Sequence, residues 1–400
     1  MITTINNKHK KLNVPNLRFP EFQGEWEKCK LGDVMKFSTT RVSSSELNED
    51  NYVSTENMLQ DFQGIVEAKT VPDDVNVISF SCGDILISNI RPYLKKVWKA
   101  TFNGGCSSDV FVLQANDNIE SDYLHYVVSN DKFINFVMSG AKGVKMPRGD
   151  KNQMKTYSLS LPQIQEQKKI ATLLRLIDER ISTQSKIIDK LQSLIKGLND
   201  TLYAQHGDEV MTSFAELGTS YSGLSGKSAQ DFGSGKPFIT YLNVYSNNII
   251  NENDFQYVAI KDGEKQNVAE YGDVLFTLSS ETPEEVGIGS VYLGKEKVYL
   301  NSFCFGIHIT NAEIAFHPYL SYYVSSTPFR KFVYPYAQGS TRFNLCKADF
   351  EKASIKLPSL ESQKRIYSIL KSIASKIETE KKLLGLYYTQ KQYLLRQMFI

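Results

Sequence analysis

The chain carries a long internal repeat that limits the folds it can adopt. The segment LPQIQEQKKIATLLRLIDERI begins at Leu161, and the similar segment LPSLESQKRIYSILKSIASKI begins at Leu357, 196 residues later. Solenoid repeats have periods of about 20 to 50 residues, so a spacing this long indicates two complete units in tandem. We therefore predict two modules, each made of a globular part followed by a helix.

Each repeated segment opens a stretch with a helical pattern and no further proline. Its key positions alternate at spacings of 4 and 3 residues, which is the heptad pattern of a coiled-coil seam. The seam positions of the first copy are Ile170, Leu174, Ile177, Ile181, Gln184, Ile188, Leu191, Ile195, Leu198 and Leu202. Those of the second copy are Ile366, Leu370, Ile373, Ile377, Glu380, Leu384, Tyr387, Lys391, Leu394 and Met398. We expect the two helices to pack on each other as a rod of roughly 60 Å, from about 40 residues each at about 1.5 Å rise per residue.

The globular parts ahead of the two helices also correspond, though more loosely. GDILIS, which begins at Gly83, matches GDVLFT, which begins at Gly272, and DYLHYVVS from Asp122 matches PYLSYYVS from Pro318. The helices are thus similar while the globular parts have diverged. This pattern is expected when the helices share one task and each globular part has its own target.

Short apolar runs between proline and glycine predict mixed strands in each globular part, namely DILIS, VFVLQ, DVLFTL and GIHIT. Residues 123–138 and 319–333 are predicted to be helical, which gives an α+β fold. The predicted boundaries are a tail at 1–16, globular domains at 17–160 and 207–356, a central helix at 161–206 and a C-terminal helix at 357–400.

The order of these segments resembles the specificity subunit of Type I restriction and modification systems. The resemblance covers nearly the whole sequence and rests on WEKCKLGDV at 26–34, GDILISNIRPYLKKVW at 83–98, the YLHYVV helix and LPQIQEQKKI, in an order that recurs in the second half. The second copy departs from the pattern at 278–287, where it has LSSETPEEVG in place of ISNIRPYLKK. It implies that each globular part is a target recognition domain that reads one half of a split DNA sequence. It also implies two long antiparallel coiled-coil helices between the domains, with an approximate two-fold relation.

The resemblance further implies the partners of the chain. These are double-stranded DNA, two methyltransferase subunits that use S-adenosylmethionine, and two restriction subunits that use ATP and Mg²⁺. No cofactor, metal or catalytic residue is expected on the chain itself. The expected coiled-coil and partner-binding residues are Leu161, Gln167, Ile170, Leu174, Ile177, Ile181, Gln184, Leu357, Gln363, Ile366, Leu370, Ile373, Ile377 and Glu380.

The charge distribution shows where DNA contacts are to be sought. The formal net charge is +2 overall, but about −3 over residues 17–160 and −5 over 207–356, while residues 357–400 carry about +5. Acidic globular parts argue against a general basic surface, so recognition must depend on local clusters that neutralise phosphates and reach base edges.

Two glycine-containing loops supply such clusters, AKGVKMPRGDKNQMK in the first module and AQGSTRFNLCK in the second. The DNA-binding candidates in the first module are Lys142, Lys145, Arg148, Arg91, Tyr93, Lys95, Lys96 and Asn57. Those in the second module are Ser340, Thr341, Arg342, Asn344, Lys347 and Asn243. The alternatives are a solvated loop, a tight turn with a surface arginine and, for the two asparagines, hydrogen bonds to nearby backbone groups.

Several classes of function lack their sequence signals. The string SGLSGKS would need glycine at Tyr221 to be a phosphate-binding loop, no NPPF or DPPY methyltransferase tetrapeptide occurs, and the histidines have no metal-ligand spacing. The five cysteines are scattered, which favours reduced thiols, and no apolar run is long enough to span a membrane. We expect a soluble cytoplasmic protein. A coiled-coil adaptor without DNA readout and a self-contained enzyme are the alternatives.

Overall fold

The computed structural model describes residues 13–204 and 209–400, and it divides into two compact units. The first unit holds the described residues up to Ser185 together with Leu383–Ile400, and the second holds the described residues of Lys186–Lys382. Most of the predicted tail and the predicted start of the second domain at 207 lie outside the described residues. The predicted domain boundaries therefore stay predictions.

The first unit combines three sheets with short helices. Its strands are β1 (Glu27–Lys30), β2 (Met35–Phe37), β3 (Arg41–Ser43), β4 (Tyr52–Val53), β5 (Asn76–Phe80), β6 (Ile85–Ser88), β7 (Val97–Lys99), β8 (Gly104–Cys106), β9 (Val110–Ala115) and β10 (Ser158–Leu161). Its helices are α1 (Leu31–Val34), α2 (Ser121–Val128), α3 (Asp131–Ser139) and α4 (Lys151–Lys155), with 3₁₀ turns η1 (Ser44–Glu46) and η2 (Pro92–Leu94). The sheet orders are β1-β10, β2-β9-β6-β7 and β3-β5-β8-β4.

The second unit repeats much of this plan. Its strands are β11 (Glu209–Thr212), β12 (Gly218–Ser222), β13 (Phe232–Ile239), β14 (Gln256–Val258), β15 (Val274–Thr277), β16 (Ser279–Ser280), β17 (Gly289–Val291), β18 (Tyr299–Leu300), β19 (Cys304–Ile309), β20 (Ala337–Gly339), β21 (Phe343–Leu345) and β22 (Ile355–Pro358). Its helices are α6 (Phe214–Leu217), α7 (Tyr241–Ser246), α8 (His317–Tyr323), α9 (Thr327–Val333) and α10 (Lys347–Lys352), with 3₁₀ turns η3 (Ala229–Asp231), η4 (Glu252–Asp254), η5 (Pro283–Glu285) and η6 (Tyr334–Tyr336). The order β12-β19-β15-β17 matches β2-β9-β6-β7, and β11-β22 matches β1-β10.

The predicted strands occupy the centres of these matching sheets. DILIS supplies β6 and DVLFTL supplies β15, and both strands are buried along their whole length. Strands buried on both faces are expected to be continuous apolar runs, as these are. The α+β fold class predicted for each globular part is therefore confirmed.

The two long helices are α5 (Ile164–Ala204) and α11 (Leu360–Met398), close to the predicted length. In the first unit, the buried residues Ile170 and Leu174 near the start of α5 share a core with Met398 at the end of α11. In the second unit, Leu198 near the end of α5 packs on the core that contains Ile366 at the start of α11. Each unit by itself thus shows the antiparallel pairing that was predicted.

Local capping changes the predicted helices in detail. Residues 123–138 form two helices, because the Asn130 side chain accepts a hydrogen bond from Lys132 N and caps α3. Ser326 caps α9 in the same way and separates it from α8. The seam position Lys391 is charged where most seam positions are apolar. Its Nζ lies 2.6 Å from Asp178 Oδ1 in an ion pair.

Candidate nucleic-acid interface

A short hairpin projects from the first unit at the basic loop. Lys142 N donates to Arg148 O over 3.0 Å, and Arg148 N donates back to Lys142 O over 2.9 Å. Gly143 starts the turn with φ of +97°, a conformation that side chains other than glycine rarely adopt. We call residues 142–148 the first hairpin. It is docked on the chain after β6, where Gly149 N donates to Asn89 O over 3.0 Å.

The second unit carries a hairpin with the same register. Gln338 of β20 pairs with Asn344 of β21, and we call residues 338–344 the second hairpin. Gly339 starts this turn with φ of +149°, and an added Cβ there would collide with the Arg342 carbonyl oxygen. This hairpin is docked by the bond from Leu345 N to the carbonyl oxygen of Leu278, over 2.9 Å.

The two hairpins have equivalent central pairs, although the second continues into the flanking pairs Ala337–Leu345 and Gly339–Phe343. The pair Lys142 and Arg148 becomes Gln338 and Asn344 when 196 is added to each number. The exposed tips consequently align as Val144, Lys145 and Met146 in the first hairpin and Ser340, Thr341 and Arg342 in the second. One backbone frame thus presents two unrelated sets of side chains to solvent.

The tip of the first hairpin combines apolar and cationic groups. Val144 is fully exposed and Met146 is 48% exposed. Lys142 and Lys145 are exposed beside them. Arg148 is also exposed, and its Nη1 lies 3.1 Å from Asp109 Oδ1. The charge of Arg148 is therefore partly offset within the unit.

The predicted DNA contacts on the segment that follows Asn89 fall into two groups, one accessible and one held by other groups of the unit. Arg91 and Tyr93 are exposed, and Arg91 has φ of +50°. Lys95 Nζ lies 2.8 Å from Asp131 Oδ1, and Lys96 Nζ donates to the Thr55 carbonyl over 2.6 Å. Burial, followed by the nearby Arg91 charge, lowers the pKa of Lys96. Arg91 and Tyr93 are thus the more accessible pair.

Three cations in or near the two hairpins pack over aromatic rings. Arg342 Nε donates to Ser279 Oγ over 2.8 Å, and its guanidinium carbon lies 5.5 Å from the centre of the Phe303 ring. Lys347 Nζ lies 5.0 Å from the centre of the Phe305 ring. Lys151 packs over Phe111 in the first unit at 4.7 Å. Contacts of this kind hold a cation in place with a modest gain in stability.

The two asparagine candidates are buried and serve the backbone. Asn57 Nδ2 donates to the carbonyls of Tyr52 and Val66, while its Oδ1 accepts from Ser54 N. Asn243 exchanges two hydrogen bonds with the backbone of Asn251, at 2.9 and 3.0 Å. Both side chains therefore match the local alternative, and we leave them out of the proposed interface.

The residues predicted for the helices are mostly buried. Gln167 and Gln363 are 1% and 0% exposed, and their amides bind backbone groups of the same unit. The remaining buried members are Ile170, Leu174, Ile177, Ile181, Gln184, Leu357, Ile366, Leu370, Ile377 and Glu380, while Leu161 and Ile373 are half-buried. They hold the helices in place, and their side chains offer little surface to a partner subunit.

Sequence reasoning missed part of the second site. Ser279, Phe303 and Glu285 line a cleft beside Arg342 together with Tyr245. Ser279 pairs with Asn344 in the second unit, and Ile90 pairs with Arg148 at the equivalent position of the first unit. This one change of residue type was a weak signal in the sequence. A serine in place of isoleucine at that position marks a polar site next to the hairpin.

Neither a metal-binding cluster nor a membrane-spanning helix occurs among the described residues. In residues 13–204 and 209–400, no three His, Cys, Asp or Glu side chains are grouped so that they could hold a metal ion. Over the same residues, no helix is both long enough and apolar enough to cross a bilayer.

Comparisons with known proteins agree on one family. The profile of the family described as Type I restriction modification DNA specificity domain matches residues 23–193 and again residues 223–385. A putative type I restriction enzyme specificity subunit, MjaX of Methanocaldococcus jannaschii, is 26% identical over 416 residues, covering 94% of this chain and 92% of that protein.

Two solved structures share the fold. A chain from a structure that describes complex assembly and conformational transition of the type I R-M system gives a TM-score of 0.61 at 18% identity, covering 92% of this chain and 96% of that one. The S subunit of a Type I restriction-modification system from M. genitalium gives 0.56 at 14% identity, covering 97% and 99%.

Proposed function

Because this chain belongs to the Type I restriction modification DNA specificity family, we propose that its two hairpins read the two halves of a divided DNA target. The chain is a noncatalytic specificity subunit with two recognition domains. The observation that carries the proposal is the pair of equivalent hairpins with different exposed tips. A DNA-recognition domain needs a constant backbone structure that positions its side chains. It also needs side chains that vary, so that they can distinguish base edges.

The chemistry of the first hairpin suits both backbone and base contacts. Lys142 and Lys145 are exposed cations that can neutralise phosphates, and Arg91 lies on the adjacent segment. Val144 and Met146 present apolar groups, which can contact the methyl group of thymine or fill a groove. These contacts are local, so they remain compatible with an acidic domain.

The second hairpin has fewer cationic side chains than the first. Ser340, Thr341 and Asn344 are exposed beside Arg342, and hydroxyl and amide groups can bond to base edges or phosphate oxygens. The ammonium group of Lys347 lies against the Phe305 ring. We therefore assign Lys347 a contribution to the electrostatic potential near the hairpin and no base contact. The domain reads its half-site with polar groups more than with net charge.

The partners follow from the family. We propose that the chain joins two methyltransferase subunits, which bind S-adenosylmethionine and methylate adenine, and two restriction subunits, which use ATP and Mg²⁺. We propose that the paired helices act as a spacer between the recognition domains, which we expect at 17–160 and 207–356, so that the two domains bind separate stretches of one duplex. We place this assembly in the cytoplasm.

The adaptor alternative is the weaker reading. It accounts for the paired helices but not for two equivalent hairpins with different tips, and the family match supports DNA recognition. Filter binding with the methyltransferase subunits present separates the two, since an adaptor would retain all duplexes equally.

Mapping methylated adenines across a genome, with and without this chain, tests the proposed function. We expect one motif made of two short sequences separated by a fixed number of unread bases, and we expect it to vanish when the chain is absent. A continuous motif, or methylation that does not depend on the chain, would contradict the proposal. Purified chain alone should transfer no methyl group from labelled S-adenosylmethionine.

A further inference from the structure

A cleft of about 380 Å³ opens beside the second hairpin. Tyr241 and Tyr245 stack along it, with ring centres 6.1 Å apart and planes 16° apart. Phe303 also lines the cleft and is 52% exposed. These rings form an apolar wall beside Arg342, and the polar groups described next line the same cleft.

The guanidinium of Arg342 is held in one orientation within this cleft. Its Nε donates to Ser279 Oγ, and the group lies over the Phe303 ring. Ser279 is 8% exposed and belongs to β16, so its hydroxyl is a fixed anchor. Within the part of the chain that the structure describes, the two terminal nitrogens of Arg342 have no hydrogen-bond or ion-pair partner. They form a positioned pair of donors that remains available.

The charge of the cleft disfavours a phosphate at this position. Glu281 and Glu285 line the same cleft as Arg342. Glu285 accepts hydrogen bonds from Ser280 Oγ over 2.6 Å and from the Tyr245 hydroxyl over 2.9 Å, and these two bonds hold its pKa below the usual value. The carboxylate stays ionised and repels a phosphate. Uncharged acceptors are the better partners for the guanidinium.

We propose that Arg342 reads a guanine in the half-site of the second unit, with its two terminal nitrogens donating to O6 and N7. Guanine presents two acceptors side by side in the major groove, whereas adenine presents an acceptor and a donor, and arginine matches the two acceptors with its fork. The inference rests on the proposed function and adds one base to it. Met146 occupies the equivalent position of the first hairpin, so the first unit reads by different chemistry there.

The test compares Arg342→Lys and Arg342→Ala in the full chain, assembled with its methyltransferase subunits in a host without adenine methylation. Methylated adenines are mapped, and binding is measured on duplexes in which each guanine of the motif is replaced in turn. Both variants should lose about 5- to 150-fold discrimination at one guanine of one half-site, because alanine removes the guanidinium and lysine keeps the charge but not the fork. The other half-site should be read as before.

Ser279→Ala supplies a second variant that keeps the arginine and removes only its anchor. It should weaken discrimination at the same guanine by less than Arg342→Ala does. Because two variants at different positions are expected to affect the same guanine, a folding defect in one of them leaves the other as a test. Lys295→Ala is the matched control, since it removes an exposed cation of the same unit that does not line the cleft. It should leave the motif unchanged.

Other outcomes overturn the inference and leave the proposed function standing. If Arg342→Lys matches the wild type while Arg342→Ala weakens binding to all sites equally, Arg342 binds phosphate. A divided motif without guanine in either half also overturns the assignment. If the wild-type motif is continuous and not divided, the proposed function itself is contradicted.

Discussion

The side-chain amide of Gln167 donates a 2.9 Å hydrogen bond to the carbonyl of Pro162, in the Leu-Pro motif that opens α5. The same amide donates to the carbonyl of Asn118 over 3.2 Å, and its oxygen accepts from Glu120 N over 2.8 Å. One buried glutamine thus joins the start of the long helix to the turn that precedes α2. The motif LPxxxxQ is explained by this connection.

Gln363 repeats the arrangement inside the second unit. Its amide donates to the carbonyls of Pro358 and Ile314 over 2.8 and 2.7 Å, and its oxygen accepts from Phe316 N over 2.8 Å. Each partner lies 196 residues beyond its counterpart in the first unit. The close repetition of the motif therefore preserves a junction between helix and domain.

Replacing either glutamine should destabilise its unit. Gln167→Ala leaves the buried carbonyl of Pro162 and the part-buried backbone groups of Asn118 and Glu120 without the side-chain partner, which costs about 1 to 3 kcal/mol. Gln363→Ala should have a similar effect. Urea unfolding followed by tryptophan fluorescence and circular dichroism checks both, with Gln165→Ala on the exposed face of α5 as the control. Equal stability of Gln167→Ala and the control would contradict the role assigned to the buried amide.

A half-buried histidine, His125, should make the first unit sensitive to acid. Burial, and then the charge of Lys391, lower the pKa of His125 from 6.5 to about 4, although Asp178 and Asp122 oppose this and Lys99 adds to it. The unfolded chain takes up a proton below about pH 6.5 while the folded chain does not. The contribution to stability is therefore complete above pH 6.5 and is lost as the pH falls towards 4.

The comparison of wild type with His125→Gln measures this effect. Between pH 7 and pH 4.5, the difference in unfolding free energy should change by about 2 to 3 kcal/mol against the wild type. Other groups titrate in both proteins and cancel in the difference. A difference that stays constant over this range would show that His125 keeps an ordinary pKa.

Lysines of the first hairpin should act on affinity rather than on sequence choice. Lys145→Ala should weaken binding to all duplexes about equally and lower the slope of log K against log salt by about 0.9, if Lys145 contacts one phosphate. Lys69→Ala, an exposed lysine of the same unit outside the hairpin, is the control. A changed motif with an unchanged salt slope would assign Lys145 to a base instead.

The paired helices should set the distance between the half-sites. A heptad inserted within residues 188–202, with a matching heptad in α11, adds about 10 Å of helix, which equals about three base pairs of DNA. Methylation mapping should show both half-sites retained and the unread gap longer by about that amount. An unchanged gap would contradict the spacer role.

Much of the fold could be predicted because it depends on local pattern. The seam residues Ile170 and Leu174 recur at helical spacing, and the buried strand β6 is an uninterrupted apolar run, so each element is determined by nearby residues. The repeat itself predicted that the second unit would have the same elements. The breaks at Asn130 and Ser326 were missed because capping depends on one side chain and competes with the helical pattern.

The site was less predictable because it depends on contacts distant in sequence. The bond from Arg342 to Ser279 spans 63 residues and exists only because β16 pairs with β21. Asn57 and Asn243 had the right side chains for base contact, yet tertiary packing buried them against backbone groups. Residue type predicted which groups are capable of binding DNA, while strand pairing decided which of them reach the surface.

The most direct test of the central claim replaces Ser340, Thr341 and Arg342 together by alanine in the assembled methyltransferase complex and maps the methylated adenines. We expect sequence choice to relax in one half of the motif, while the other half and the gap between them stay as in the wild type. Relaxation of both halves, or an unchanged motif, would contradict the claim that each hairpin reads its own half-site.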